Sequence, residues 1–323
     1  MARRVLFVAD QFADSPRDPN SSYPGGAELT DAAVIAKSPW PVETIRVRDL
    51  KPSYLKDFDL HVVGNLEQAS SEQCRAIAAQ QRTVLFEHDY RMCRWRGNMH
   101  TARGSYHRRL WRCDCTPRRY SRLLSSALGA IFLTQRQLAM YRSNPFVRLP
   151  RIAVLGCSVM GSEFFATVKR FREAGSPRGR GTCVIHSNNP TKGYAQALAY
   201  CKERGIEPRL VRDATPKQVL DELAAAERLV FLPQWPEPAS RIALEARFLG
   251  CEVVSSEALG VAGESWWNAP DNLAFEFVQS AADRFWGLVD SISEAPAAAA
   301  YTWKRASTEP RIVSRPPPEP GRC

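Results

Sequence analysis

Long apolar runs are missing from this 323-residue chain, and none approaches the ~18 residues that a membrane-spanning helix needs. No internal repeat of fixed period occurs, which removes repeat architectures. The first ten residues end on Asp10 with no small-residue cleavage site, so they read as a first strand and not as a signal peptide. Cysteine gives no even framework: there are nine, and Cys74, Cys183, Cys201 and Cys251 sit in apolar contexts, the pattern of a reduced, cytoplasmic protein. With 44% hydrophobic and 24% charged residues, wholesale disorder, collagen-like repeats and coiled coil are excluded as well. The length suits two compact domains.

Lysine is absent over residues 89–122, where ten arginines (Arg91, Arg94, Arg96, Arg103, Arg108, Arg109, Arg112, Arg118, Arg119 and Arg122) face only Asp89 and Asp114, a local charge of +8. The last 21 residues add +3. The formal net charge is +10, so the remaining body is nearly neutral and carries two basic appendages. Tyr90, Trp95, Tyr106, Trp111 and Tyr120 are interleaved with the arginines. Guanidinium groups bind phosphates in a bidentate manner and rings stack on bases, so the segment suits a polyanion such as DNA, with Arg91, Arg94, Arg96, Trp95, Arg108, Arg109 and Trp111 as the contacts. The plainer alternative is a solvated charged face. Cys93, Cys113 and Cys115 lie in the same segment with His100 and His107, but their spacing matches no standard zinc finger, and no metal site is assigned.

Short apolar runs alternate with segments of helical period, the pattern of an α/β fold with parallel sheets. Strands are expected at Val5–Ala9, Val42–Val47, Leu60–Gly64, Thr83–His88, Ala130–Thr134 and Ile152–Leu155, then at Thr182–His186, Arg209–Arg212, Leu229–Leu232 and Glu252–Ser255. Helices are expected between them, at Ala27–Ala36 behind Gly25-Gly26 and at Cys74–Gln80 behind the capping box Ser70-Ser71-Glu72-Gln73. In the second half they fall at Lys192–Arg204, Pro216–Glu227, Pro238–Leu249 and Ala274–Ile292. The Gly-rich basic stretch Lys169–Gly181 reads as a linker. The division is therefore a first domain over 1–165 with an Arg-rich insertion at 89–122, a linker over 166–180, a second domain over 181–300 and a basic Pro-rich tail over 301–323.

The most informative stretch runs from Phe231 to Gly250. A strand ends, Pro238 takes a first helical position, and Glu237 and Glu245 stand with seven residues between them. Backbone N–H groups at Ala239 and Ser240, backed by the helix dipole, form an anion site at the carboxyl edge of the sheet, and two carboxylates beside it suit sugar hydroxyls. By itself a glutamate at a helix start is favoured by the dipole alone. Elsewhere in the chain, Gly25-Gly26-Ala27-Glu28, Ile131-Phe132-Leu133-Thr134, Val154-Leu155-Gly156 through Phe164, Asn189-Pro190-Thr191-Lys192-Gly193 and Glu252-Val253-Val254-Ser255 to Gly260 occur in an order that, with the E-x7-E spacing, resembles the GT-B glycosyltransferases, specifically the retaining family 4. The resemblance spans about residues 3–295.

That resemblance implies two Rossmann-like domains facing across a cleft, and transfer of a sugar from a nucleoside-diphosphate sugar, a UDP-sugar, with retention and with no cofactor or metal required. Glu245 would bind the ribose and Glu237 would face the donor sugar. Lys192 would neutralise the diphosphate, and Gly25-Gly26 would approach it from the other domain. Two departures stand out. The family's arginine before the phosphate lysine is absent from Ile185-His186-Ser187-Asn188-Asn189, leaving Arg241 or Arg212 to replace it, and the family's Phe-Gly is Ala239-Ser240. His88 and Asp89 follow a strongly apolar strand and therefore lie at an active-site edge, where they would contact the donor sugar or act as a general base; a capping cluster is the alternative. Phage DNA glucosyltransferases share the architecture, so the expected acceptor is a hydroxylated base in DNA. A membrane-anchored lipid or polysaccharide acceptor at an anionic membrane surface, and a non-catalytic nucleic-acid-binding role, are the alternatives.

Overall fold

The computed structural model describes residues 3–15, 23–93, 106–107, 112–113, 118–175, 179 and 181–294. In the first half, β1 (Val5–Ala9), β2 (Val42–Arg46), β3 (Leu60–Val63), β4 (Thr83–Glu87), β7 (Gly129–Phe132) and β8 (Ile152–Val154) form one all-parallel sheet in the order β2-β1-β3-β4-β7-β8. The helices are α1 (Gly26–Ile35), α2 (Ser71–Ala79), α3 (Arg118–Ser126) and α4 (Gln135–Ser143). Between them β5 (Tyr106–His107) and β6 (Arg112–Cys113) make a small antiparallel pair. After α5 (Ser162–Ala174) a second parallel sheet is built from β9 (Thr182–Ile185), β10 (Arg209–Val211), β11 (Arg228–Phe231) and β12 (Glu252–Ser255), ordered β10-β9-β11-β12. Its helices are α6 (Tyr194–Glu203), α7 (Pro216–Ala225) and α8 (Arg241–Phe248), and the chain then runs through α9 (Asp271–Gln279) and α10 (Ala281–Glu294).

The strands form where runs of apolar residues are buried on both faces, as parallel sheets covered by helices demand: every residue of β1, β3, β4 and β7 is buried. Two starts follow directly from side-chain chemistry. Ser70 and Gln73 close a reciprocal capping box on α2, and Thr215 with Gln218 does the same on α7 behind Pro216. In both sheets the strand order reverses once, next to β1 in the first and next to β9 in the second. A crevice opens outside the carboxyl edge at such a reversal.

The structure differs from the sequence expectations in four places. Residues 169–174 belong to α5, because Phe164, Thr167 and Val168 form a buried stripe that carries the helix through the expected linker. The expected helix over Ala274–Ile292 is two: Ser280 donates through Oγ to the carbonyls of Glu276 and Phe277 and closes α9. The second of these, α10, crosses back to the first sheet. There Trp286 Nε1 donates to Val34 O at 2.8 Å, Phe285 packs on Phe86 at 4.6 Å, and Arg3 bridges to Asp290 at 3.0 Å. One apolar core therefore runs from Val5 to Ile292 across both domains. Finally, α8 begins at Arg241 and not at Pro238. Glu237 pairs with the chain around Leu259 as an isolated bridge, and Ser158 Oγ donates to Ala239 O at 2.5 Å, so residues 237–239 are held by neighbouring chain and cannot wind into the helix.

Candidate active site

Both crevices open into one cleft of about 760 Å³, a size within the range of small-molecule sites. The first-domain wall includes Gly26, His88, Asp89 and Tyr90; the second-domain wall includes Lys192, Glu237, Ala239, Ser240, Arg241 and Glu245. Two parallel sheets, each reversing order at its edge, present those edges to a shared cleft. The architecture is α/β, two parallel-sheet domains facing across a cleft. No protein-family model matches the chain, and no curated protein is found as a relative. Among solved structures, similarity in shape extends to Anabaena Alr3699/HepE in complex with UDP and glucose, at 14% identity and TM-score 0.47 over 90% of this chain and 97% of that one. It extends also to an alpha-glucosyltransferase in complex with UDP-glucose and DNA containing an abasic site, at 11%, TM-score 0.48 and coverage of 91% and 93%. AviGT4, a glycosyltransferase involved in Avilamycin A biosynthesis, follows at 14%, TM-score 0.44 and coverage of 90% and 95%. Likeness at this level describes shape, and the chemistry of the cleft rests on its own residues.

The Lys-Gly loop follows β9. Asn189 accepts from the Thr191 amide at 3.0 Å and caps a short 3-10 turn, Pro190–Lys192. Gly193 then takes φ +72°, and a Cβ there would overlap the Leu232 carbonyl at the end of β11, so the close approach of loop to strand requires glycine. Lys192 Nζ meets Glu237 Oε2 at 2.6 Å, with the two side chains 39% and 19% exposed. Glu237 itself is pinned by its backbone: its N–H donates to Ala258 O at 2.9 Å and its carbonyl accepts from Gly260 N at 2.7 Å. Gly260 allows this packing, since a Cβ would come within 2.6 Å of Pro238 O and 2.9 Å of Thr134 Oγ1 on the opposite domain.

Arg241 opens α8 and points across the cleft. It donates through Nη1 to Val159 O at 2.5 Å, and its Cδ would lie 3.5 Å from a Cβ on Gly26. Glu245, one turn on, is 4.0 Å from Arg241 Nε. Burial pushes the Arg241 guanidinium below its usual range against the pull of Glu245, and burial pushes the Glu245 carboxyl up against the pull of Arg241. Because α8 starts at Arg241 with Ser240 as N-cap, the open amides are those from Ser240 onward; Ala239 contributes its place in the wall but not a helix N–H. The Ser240 side chain makes no capping bond. Of the two arginines that could replace the missing one, Arg241 lies in the cleft, whereas Arg212 is exposed and donates to Tyr194 OH at 3.0 Å. Gly25 is the N-cap of α1, beside the cleft-lining Gly26.

On the facing wall His88 Nε2 lies 2.7 Å from Asp31 Oδ1, both almost fully buried. Burial alone would push the imidazole down; Asp31, with Asp89 and Glu87, outweighs it, and the net shift is upward. Asp89 is pushed up to about 7, by burial first and then by Glu87, against Arg91 and His88. Beneath them, Glu87 Oε1 lies 2.9 Å from Arg91 Nε as an ion pair and Glu87 Oε2 accepts from the Tyr141 hydroxyl, while Arg91 Nη2 donates to Gly64 O at 2.6 Å.

Arg91 therefore corrects one sequence expectation. Its guanidinium is 6% exposed and neutralised by Glu87, so it ties the first sheet together and is not open to a phosphate. Arg94, Trp95, Arg96, Arg108, Arg109 and Trp111 lie outside the described residues, as does the tail over 301–323. Cys93 is buried in the core of the first domain. Among the described residues no cluster of His, Cys, Asp or Glu could hold a metal ion, and no helix is long and apolar enough to cross a membrane.

Sequence reasoning missed Asp31 and the Glu87–Arg91–Tyr141 cluster. Asp31 carries a signal in retrospect: it is an acid beside Thr30, Ala33 and Val34 on the face that α1 buries, and a buried carboxylate needs a partner.

Proposed function

We propose that this protein is a glycosyltransferase that moves a sugar from a nucleoside-diphosphate sugar, a UDP-sugar, to a hydroxyl acceptor, with retention and without a metal. The observation that carries the reading is the convergence, on one wall of the cleft, of Lys192, Arg241 and the amide end of α8, flanked by the carboxylates of Glu237 and Glu245. As the bond from the anomeric carbon to the leaving phosphate breaks, its electrons pass to the phosphate oxygen. Fixed cations and amide dipoles then act more strongly on the transition state than on the ground state. An arriving diphosphate replaces Glu237 as the partner of Lys192 and frees the Glu237 carboxylate for sugar hydroxyls. Glu245, deeper beside Arg241, is placed for the ribose. Gly26 leaves room for the phosphates opposite Arg241, and His88 and Asp89 face the sugar and the incoming hydroxyl.

For the acceptor we favour a hydroxylated base in DNA. Support comes from the arginine-aromatic run that begins at the cleft wall with Tyr90 and, with Arg91 removed from it, still holds nine arginines and no lysine. The test is donor turnover with wild type and Glu237→Ala, followed by labelled-sugar transfer onto hydroxymethylated DNA and onto anionic lipid. The reading expects turnover that the substitution abolishes and transfer to DNA that weakens with salt. Absence of donor turnover in both proteins leaves a binding module, and transfer to lipid alone moves the acceptor to the membrane.

A further inference from the structure

The ring of His88 is held from one side only. Its Nε2 lies against Asp31 Oδ1 at 2.7 Å, the other Asp31 oxygen is turned toward Gly64, where a Cβ would stand 3.1 Å away, and the ring packs on Phe86 at 4.3 Å. Phe86 in turn rests on Phe285, so the floor beneath the pair is apolar. With Nε2 engaged, Nδ1 is the nitrogen left for the cleft that His88 lines. Asp31 reaches this place because α1 starts at the glycine pair and buries the face that bears it.

We propose that Asp31 is the positioning residue of the cleft: it fixes the His88 ring and holds it as an imidazolium, so that Nδ1–H is a fixed hydrogen-bond donor to a ligand oxygen and not a base. The identity of that oxygen, on the donor sugar or its phosphate, rests on the transferase reading. The pairing itself does not. The charged groups acting on His88 are Asp31 from α1 and Glu87 and Asp89 on either side of it; all three are carboxylates and all favour the charged ring. The division of labour leaves proton acceptance to Asp89 or to the leaving phosphate.

The experiment is a ring 1H–15N titration of the histidines in the intact protein, with His88→Gln assigning the resonance. His61, whose Nε2 is bonded to the Leu55 carbonyl and which burial pushes down, is the internal control. In wild type His88 is expected to titrate above about 6.5, the ordinary value. Asp31→Asn keeps the shape and removes the charge, and is expected to lower the His88 midpoint by about one pH unit or more while His61 stays put. The loss in kcat/KM for UDP-sugar turnover should then be greater near pH 8 than near pH 5.5, where more of the ring is protonated in both proteins. A wild-type midpoint below the ordinary value, an unmoved midpoint in Asp31→Asn, or an equal loss at every pH overturns the proposal. Should wild type turn over no nucleotide sugar, the transferase reading falls and the resonance midpoints alone decide the role of Asp31.

Discussion

On the second-domain wall of the cleft, Lys192 and Glu237 meet at 2.6 Å with 39% and 19% of their side chains exposed; beneath the first-domain wall, Glu87 and Arg91 meet at 2.9 Å with 0% and 6% exposed. Both are ion pairs between one acid and one base, yet they do different work. Lys192 and Glu237 face water, so each can change partners at low cost when an anion or a hydroxyl arrives. The Glu87–Arg91 pair is desolvated and backed by Tyr141 and the Gly64 carbonyl, so neither member can leave without stranding a buried charge. One wall exchanges; the other holds a geometry on which His88 and Asp89 depend.

The sharpest way to break this contrast is to remove one member of each pair. Arg91→Met leaves Glu87 buried and unneutralised and should cost about 3–5 kcal/mol in urea denaturation. Gly193→Ala should cost about 3 kcal/mol by the same measurement, since its left-handed φ and the Leu232 carbonyl leave no room for a Cβ. Were it tolerated, the loop carrying Lys192 would be less fixed than the structure shows. Lys192→Ala should cost less than about 1 kcal/mol of stability, yet lower donor turnover by about 100-fold, as loss of a transition-state charge partner does. Stability losses of equal size in Lys192→Ala and Arg91→Met would erase the contrast altogether.

The smallest effect sharpens the contrast by pH. Asp89 is pushed up to about 7, so the folded state favours its protonated form. The stability this confers is present below the unfolded carboxyl value of about 4 and is lost as pH rises through about 7. Asp89→Asn should therefore be more stable than wild type at about pH 8 and lose that advantage by about pH 4, as urea denaturation at the two pH values would read. A constant difference at every pH would show that Asp89 does not titrate in this window.

Much of the second-domain wall was legible in the sequence. Glu237, Glu245, Lys192 and Arg241 are close to the strand ends that place them, so local order in the chain nearly fixes their order in space. The first-domain wall was legible only where it followed one strand, at His88 and Asp89. The partners that set their chemistry are Asp31, 57 positions before His88, and Tyr141, 54 positions after Glu87, and no local pattern couples such residues. Arg91 was misread for the same reason. In the sequence it is the first of a run of arginines, whereas in the fold it is the fourth residue after the strand that ends at Glu87, turned inward.

The boundaries of α8 and α5 make the point at smaller scale. Pro238 is a good first helical residue by propensity, but the bridge to Leu259 and the Ser158 bond to Ala239 outweigh that preference. The glycines and arginines after Lys169 read as linker, but Phe164 and Val168 had already committed that turn of chain to the core.

By itself the sequence determined the alternation of strands and helices, two parallel sheets, the capping boxes at Ser70 and Thr215 and the acidic and basic residues of the second-domain wall, because each depends on spacing within a few turns of chain. Only the tertiary structure decided that Arg91 is inside, that α10 returns to the first domain and that Asp31 holds His88. Desolvation and pairing of charge depend on which residues meet after the sheets have closed, and the linear order of the chain does not contain those distances.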